Sequence, residues 1–119
     1  MGDGWETRRR RDPGNDWSII QLGHPGILKK IEIDTNHYKG NFPDTCWVEG
    51  CFAPGKAIDA LNHAQFEWVE VLAKTKLQAD HRHFFESELK KSGPWSHLRL
   101  SIAPDGGISR FRVWGTLAL

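Results

Sequence analysis

The stretch Asp34–Asp44, DTNHYKGNFPD, sets a carboxylate (Asp34), an imidazole (His37), an ammonium (Lys39) and two amides (Asn36 and Asn41) within a few residues of one another. An acid, a base and a cation in reach of one small molecule are what proton transfer on a polar substrate requires. The same residue types also build ordinary surface turns, where Asn, Asp, Gly and Pro satisfy backbone groups locally. A second concentration is DGWETRRRRDPGNDW, residues 3–17, with four consecutive arginines at Arg8–Arg11. The planar guanidinium fork grips a carboxylate through two parallel hydrogen bonds, so an anion socket is one reading of this run and a solvated turn is the other. In an extended chain Glu6, Arg8 and Arg10 share one face, and Trp5, Thr7 and Arg9 the other. A third concentration is ADHRHFF, residues 79–85. On a strand His81 and His83 share a face, a spacing that can hold a metal with Asp80 as a further ligand, or can merely decorate a sheet.

Composition excludes several classes. The net charge is only +1, and setting Arg8–Arg11 aside leaves 12 of the 16 Lys and Arg against 15 Asp and Glu. That balance speaks against a nucleic-acid surface. No window approaches the roughly 18 apolar residues of a membrane span, and no signal-peptide core follows Met1. The expectation is a cytoplasmic protein of one domain, residues 1–119. Cys46 and Cys51 would lie about 16 Å apart on a strand, at roughly 3.3 Å per residue. A disulfide needs Cα atoms within about 7 Å, so both are expected as free thiols. No phosphate-binding glycine loop of the Walker type is present.

The elements that must position these residues are mostly strands. Trp17–Leu22, Ile27–Asp34, Cys46–Phe52 and Phe66–Leu72 are β-like, and GHPG at 23–26 reads as a tight turn between the first two. In Ile27–Asp34, Ile31 and Ile33 alternate with Lys30, Glu32 and Asp34. Leu98, Leu100 and Ile102 alternate with His97, Arg99 and Ser101; PDGG follows at 104–107. Then Phe111 and Val113 alternate with Arg110, Arg112 and Trp114. The pattern predicts an antiparallel hairpin across PDGG, one face in the core. Residues 54–64 carry Ala57, Ala60, Leu61 and Ala64 at helical spacing, which predicts one short helix in a connection. The expected fold is all-β, an antiparallel sandwich or barrel.

Four blocks, GDGWETRRRRDPGNDW, IEIDTNHYKGNFPDTC, TKLQADHRHFF and IAPDGGISRFRVWG, resemble the allantoicase family in order and spacing, across nearly the whole chain. The resemblance implies a β-sandwich of jelly-roll, galactose-binding-like type, and one repeat of a family built from tandem repeats, with its first strands lacking. It implies hydrolysis of allantoate to ureidoglycolate and urea in purine degradation. Carried over by motif, Glu6, Asp34 and His37 become candidate catalytic groups. Arg8, Arg9, Lys39 and Asn41 become candidate substrate-binding groups, and Gly40 the residue expected to take positive φ. No cofactor is expected; His81 and His83 are the candidates should a divalent metal be used. The partner is a small molecule, without nucleic acid or membrane. Self-association, or pairing with a second repeat through the face near Trp5 and Trp17, is expected. The alternative is a non-catalytic ligand-binding sandwich or an inactive fragment.

Overall fold

The computed structural model describes residues 5–6, 16–38, 40, 42–54, 67–104 and 106–117. Its elements are all strands: β1 (Trp5–Glu6), β2 (Asp16–Asp34), β3 (Thr45–Cys51), β4 (Val69–Lys76), β5 (Arg82–Phe85), β6 (Trp95–Ala103), β7 (Gly107–Ile108) and β8 (Arg110–Leu117). The expected helix lies outside the described residues. Every pairing is antiparallel.

β2 organises the fold. Its first half pairs with β6, from Asp16↔Ile102 to Gln21↔His97, and extends the order β4-β3-β6-β2. Its second half lies between β5 and β8: Ile31, Glu32, Ile33 and Asp34 are flanked by Phe85 to Arg82 on one side and by Val113 to Arg110 on the other. One strand thus serves both layers of a β-sandwich, turning the corner at irregularities, as strands that change sheets do. The expected turn at GHPG is corrected here. The ladder jumps from Gln21↔His97 to Gly26↔Trp95, and Gly26 also pairs with Leu117. Pro25 has no N–H to give a ladder, so the segment shifts register without reversing the chain.

The predicted hairpin across PDGG is also corrected. Both of its arms are strands, but β6 is flanked by β2 and β3. With both edges taken, the chain crosses to the other layer, and β8 pairs with the second half of β2. Between them β7 pairs with β1, Trp5↔Ile108 and Glu6↔Gly107.

The alternation of β2 packs the core. Ile31 and Ile33 are fully buried and join Cys46, Val48, Val71, Leu72, Leu98, Leu100 and Ile102 in one cluster drawn from both layers. Each such side chain contributes about 1.5–3 kcal/mol of burial. Cys46 and Cys51 are free and buried, as expected. Burial pushes the Cys46 thiol up to about 12, which leaves it unreactive.

The ring of Tyr38 lies against Gly107, where an added Cβ would collide with it. This contact joins the loop after β2 to β7, and so to β1. Gly107→Ala should therefore destabilise the fold by about 1–3 kcal/mol, as overpacking does. A Cβ at Gly40 meets nothing within 4 Å, so Gly40→Ala should stay within about 0.5 kcal/mol. Equilibrium urea unfolding of the two variants checks the contrast.

Candidate active site

Where β2 ends, its outward face carries alternating charge. Asp34 sits directly between Arg82 on β5 and Arg110 on β8; one step back Glu32 sits between Phe84 and Arg112. Further back Lys30 places its ammonium 4.7 Å from the Phe84 ring centroid and 5.1 Å from that of Trp114. This row of arginine, carboxylate and arginine across three strands follows from the two-residue strand period and the register. Asp34, Arg82, Arg110 and Arg112, together with Asn36, His37 and Ser109, line a cleft of about 300 Å³.

The cleft floor is fixed by backbone bonds. The Asp34 carbonyl accepts from the Ser109 N–H at 2.7 Å and from the Ser109 hydroxyl at 2.9 Å. The Asp34 carboxylate accepts from the Asn36 N–H at 2.8 Å through Oδ1, an Asx turn that closes the strand. Its Oδ2 has no hydrogen bond among the described residues. The loop beyond is tied to the segment before β5. Thr35 Oγ1 donates to the Gln78 carbonyl at 2.6 Å and accepts from the His81 N–H at 3.0 Å. The His37 N–H donates to Asp80 Oδ1 at 2.8 Å, and both residues have positive φ, 76° and 48°. Gly40 is not the left-handed residue expected from sequence: the sharp bend falls at His37, where Asp80 holds it. The His37 side chain is exposed at the cleft rim.

His83 is committed elsewhere. Its Nε2 accepts from the Gln78 N–H at 2.9 Å, which leaves Nδ1–H to donate to the Ile33 carbonyl at 2.9 Å. With both ring nitrogens engaged, His83 has no lone pair for a metal. Its ring stands edge-on to His81, centroids 4.9 Å apart. Among the described residues no group of three or more His, Cys, Asp and Glu is placed to hold a metal ion.

Of the candidate catalytic residues, Asp34 and His37 meet in the cleft. The Glu6 backbone is brought alongside by its pairing with Gly107, two residues before Ser109; Arg8, Arg9, Lys39 and Asn41 lie outside the described residues. Sequence reasoning missed Arg82, Arg110, Arg112 and Glu32 as site residues. The signal was present for the arginines: alternation already sets Arg110 and Arg112 on the face away from the core, and Arg82 stands inside ADHRHFF. What sequence lacks is the register that gathers them around β2.

Fold and cleft together define a β-sandwich with a cationic pocket suited to a small anion. The profile of the allantoicase repeat matches residues 1–118. A probable allantoicase of Burkholderia mallei is 54% identical over 98% of this chain and 35% of its own length, and one of Ralstonia nicotianae 51% over the same shares. The crystal structure of allantoicase from Saccharomyces cerevisiae superposes with a TM-score of 0.79 at 44% identity, over 97% of this chain and 32% of that one. The chain belongs to the allantoicase family, as its four sequence blocks suggested, and spans about a third of the length of these relatives.

His83 gives the stability of the fold a pH dependence. Burial pushes its imidazole below the ordinary 6.5 and nearby His81 adds to the fall, while the Ile33 carbonyl and Asp34 oppose it. The unfolded chain therefore binds this proton more readily than the folded one. The resulting stability is present in full above His83's ordinary value, and is lost as pH falls from about 6.5 through the lowered folded value. Thermal unfolding between about pH 5 and 8 should show a decline on the acid side, and His83→Gln should flatten it.

Proposed function

We propose that this chain supplies the substrate cleft of an allantoicase, which hydrolyses allantoate to ureidoglycolate and urea. The observation that carries the reading is the row Arg82–Asp34–Arg110, with His37 at its rim, in a member of the allantoicase family. Allantoate is a carboxylate whose α-carbon bears two ureido groups. Arg110, which has no carboxylate at ion-pair distance among the described residues, receives the substrate carboxylate together with Arg82 and Arg112, which line the same cleft; Asn36 and Ser109 read the ureido amides. Arg8, Arg9, Lys39 and Asn41, candidates by family motif alone, are proposed to complete the binding set.

The reaction breaks a C–N bond at the α-carbon and forms a C–O bond to water. The water must lose a proton, and the departing nitrogen must gain one before urea can leave. Asp34 Oδ2 is the group to take the first proton, because Oδ1 is held by Asn36 and the carboxylate cannot turn away. His37 delivers the second. Glu6 is the third acid-base candidate, carried beside the cleft by β1. The reading gives a metal no role, and exhaustive chelation should leave activity unchanged. The free thiols fit a reducing, cytoplasmic setting. Trp17, 52% exposed on the first half of β2, marks the face proposed for pairing with a second copy or a second repeat.

Urea release from allantoate by the purified protein tests the reaction, and binding without release would assign the cleft a ligand-binding role alone. Arg110→Ala should weaken allantoate binding by about 1.5–3 kcal/mol, the range for a charged hydrogen bond. Asp34→Asn should abolish turnover while retaining most of the binding. Unchanged affinity in Arg110→Ala, by calorimetric titration, would refute the assignment of the carboxylate socket.

A further inference from the structure

Glu32 is placed against ordinary sheet design. It points to the outer face of β2, where a polar side chain normally reaches water, yet it is fully buried beneath its neighbours. Its Oε2 accepts from Arg82 Nε at 2.6 Å. Its Oε1 is also buried, has no hydrogen-bond partner, and lies 3.8 Å from Arg112 Nε, beyond hydrogen-bond distance. A buried carboxylate with one oxygen unsatisfied is a cost to the fold, and ion pairing recovers that cost only when the remaining lone pairs are also satisfied. Stability alone does not account for this residue.

Glu32 stands between two guanidiniums of the cleft, hydrogen-bonded to one and at ion-pair distance from the other. Arg82 is fixed on two sides: Nε is committed to Glu32, and Cζ stands 5.0 Å from the centroid of the Phe84 ring. The hydrogen bond that Arg82 donates to Glu32, and then the charge of Glu32, keep Arg82 protonated even more firmly than an ordinary arginine. With Nε spent, the terminal NH₂ groups of Arg82 remain for a ligand in the cleft it lines. Arg112, on the opposite flank of the same carboxylate, lines the same cleft. Resting on the reading that this cleft receives a carboxylate, we propose that Glu32 is a positioning residue for it, bracing Arg82 and Arg112 from below as a preformed anion clamp. A clamp already in place spares the ligand the cost of ordering two long side chains.

The proposal makes a prediction opposite in sign to simple electrostatics. Glu32→Gln removes a negative charge beside the anion site, which by Coulomb attraction alone would tighten anion binding. A bracing role requires the reverse, because a neutral amide, which can still accept from Arg82 Nε but carries no charge, holds the two guanidiniums less firmly. Binding of allantoate, and separately of malonate as an inert carboxylate probe, is measured by calorimetry on folded wild-type and Glu32→Gln protein. The Kd for both is expected to rise roughly tenfold or more, the loss of about one charged hydrogen bond. An unchanged or lower Kd in Glu32→Gln overturns the proposal. Should only malonate bind, allantoate is the wrong substrate, while the clamp is still decided by the malonate result. A wild-type measurement covers the case in which the variant does not fold. The Arg82 Nε–H signal in ¹⁵N NMR should be protected from solvent exchange without ligand, and the Arg112 Nε–H signal should shift on adding malonate. Rapid exchange at Arg82 in the free protein, or an unmoved Arg112 signal, also overturns it.

Discussion

The site depends on one strand doing two jobs. β2 donates its first half to the layer of β3, β4 and β6, and its second half to the layer of β5 and β8. The register of its last four residues therefore fixes two things together. Ile31 and Ile33 must face the core, so Glu32 and Asp34 must face outward, and a slip of one residue would exchange them. Burying two isoleucines is the energetic lock that sets the carboxylates of the cleft in place. Stability and site geometry are read from the same four positions.

That coupling explains why the outer face of this layer is so unlike a solvated sheet surface. Acids run down its central strand and arginines or aromatics flank them, so the carboxylates are covered by their own partners and not by water. The contrast with the Lys90–Glu70 pair is instructive. There both side chains are about half exposed, and such pairs contribute little. At Glu32 one partner is buried and the other half exposed, so the acid bears the desolvation while the arginine keeps its reach toward a ligand. The asymmetry suits binding better than it suits folding.

Sequence periodicity made much of this legible. The alternation around Ile31 and Ile33, the free cysteines, the all-β class and the outward placement of Arg110 and Arg112 all follow from the two-residue period of strands. What periodicity cannot supply is which strand lies beside which. GHPG carries the local chemistry of a turn, but the ladder on either side carries the chain straight through, and only the paired strands β6 and β8 reveal that. The link across PDGG likewise looks like a hairpin until both edges of β6 are seen to be taken. The arginines of the cleft were hidden for the same reason: Arg82 lies 28 residues before Arg110 and 30 before Arg112, and it becomes their neighbour only through β2. The loop after Asp34 was legible in composition but not in conformation, because its left-handed residue is set by a distant carboxylate, Asp80, and not by a local glycine.

That distant carboxylate also accounts for the division of labour within the loop. A non-glycine residue at positive φ costs about 1–2 kcal/mol, and His37 is held there by its N–H bond to Asp80, in a loop that Thr35 ties to the segment before β5. Its backbone is thereby immobilised while its imidazole is left exposed at the cleft rim. Asp34 is treated in the opposite way: its carbonyl is held by Ser109, one carboxylate oxygen is held by Asn36, and the residue is buried. A fixed acid on the floor and an unencumbered imidazole on the rim are suited to different steps. The first can take a proton from a water lodged against the sheet. The second can follow a nitrogen as it departs toward solvent. On the proposed function, strain at His37 serves to keep its imidazole at the rim while Asp34 stays fixed on the floor of the same cleft, a separation that suits the two proton transfers by which water replaces an amine at one carbon.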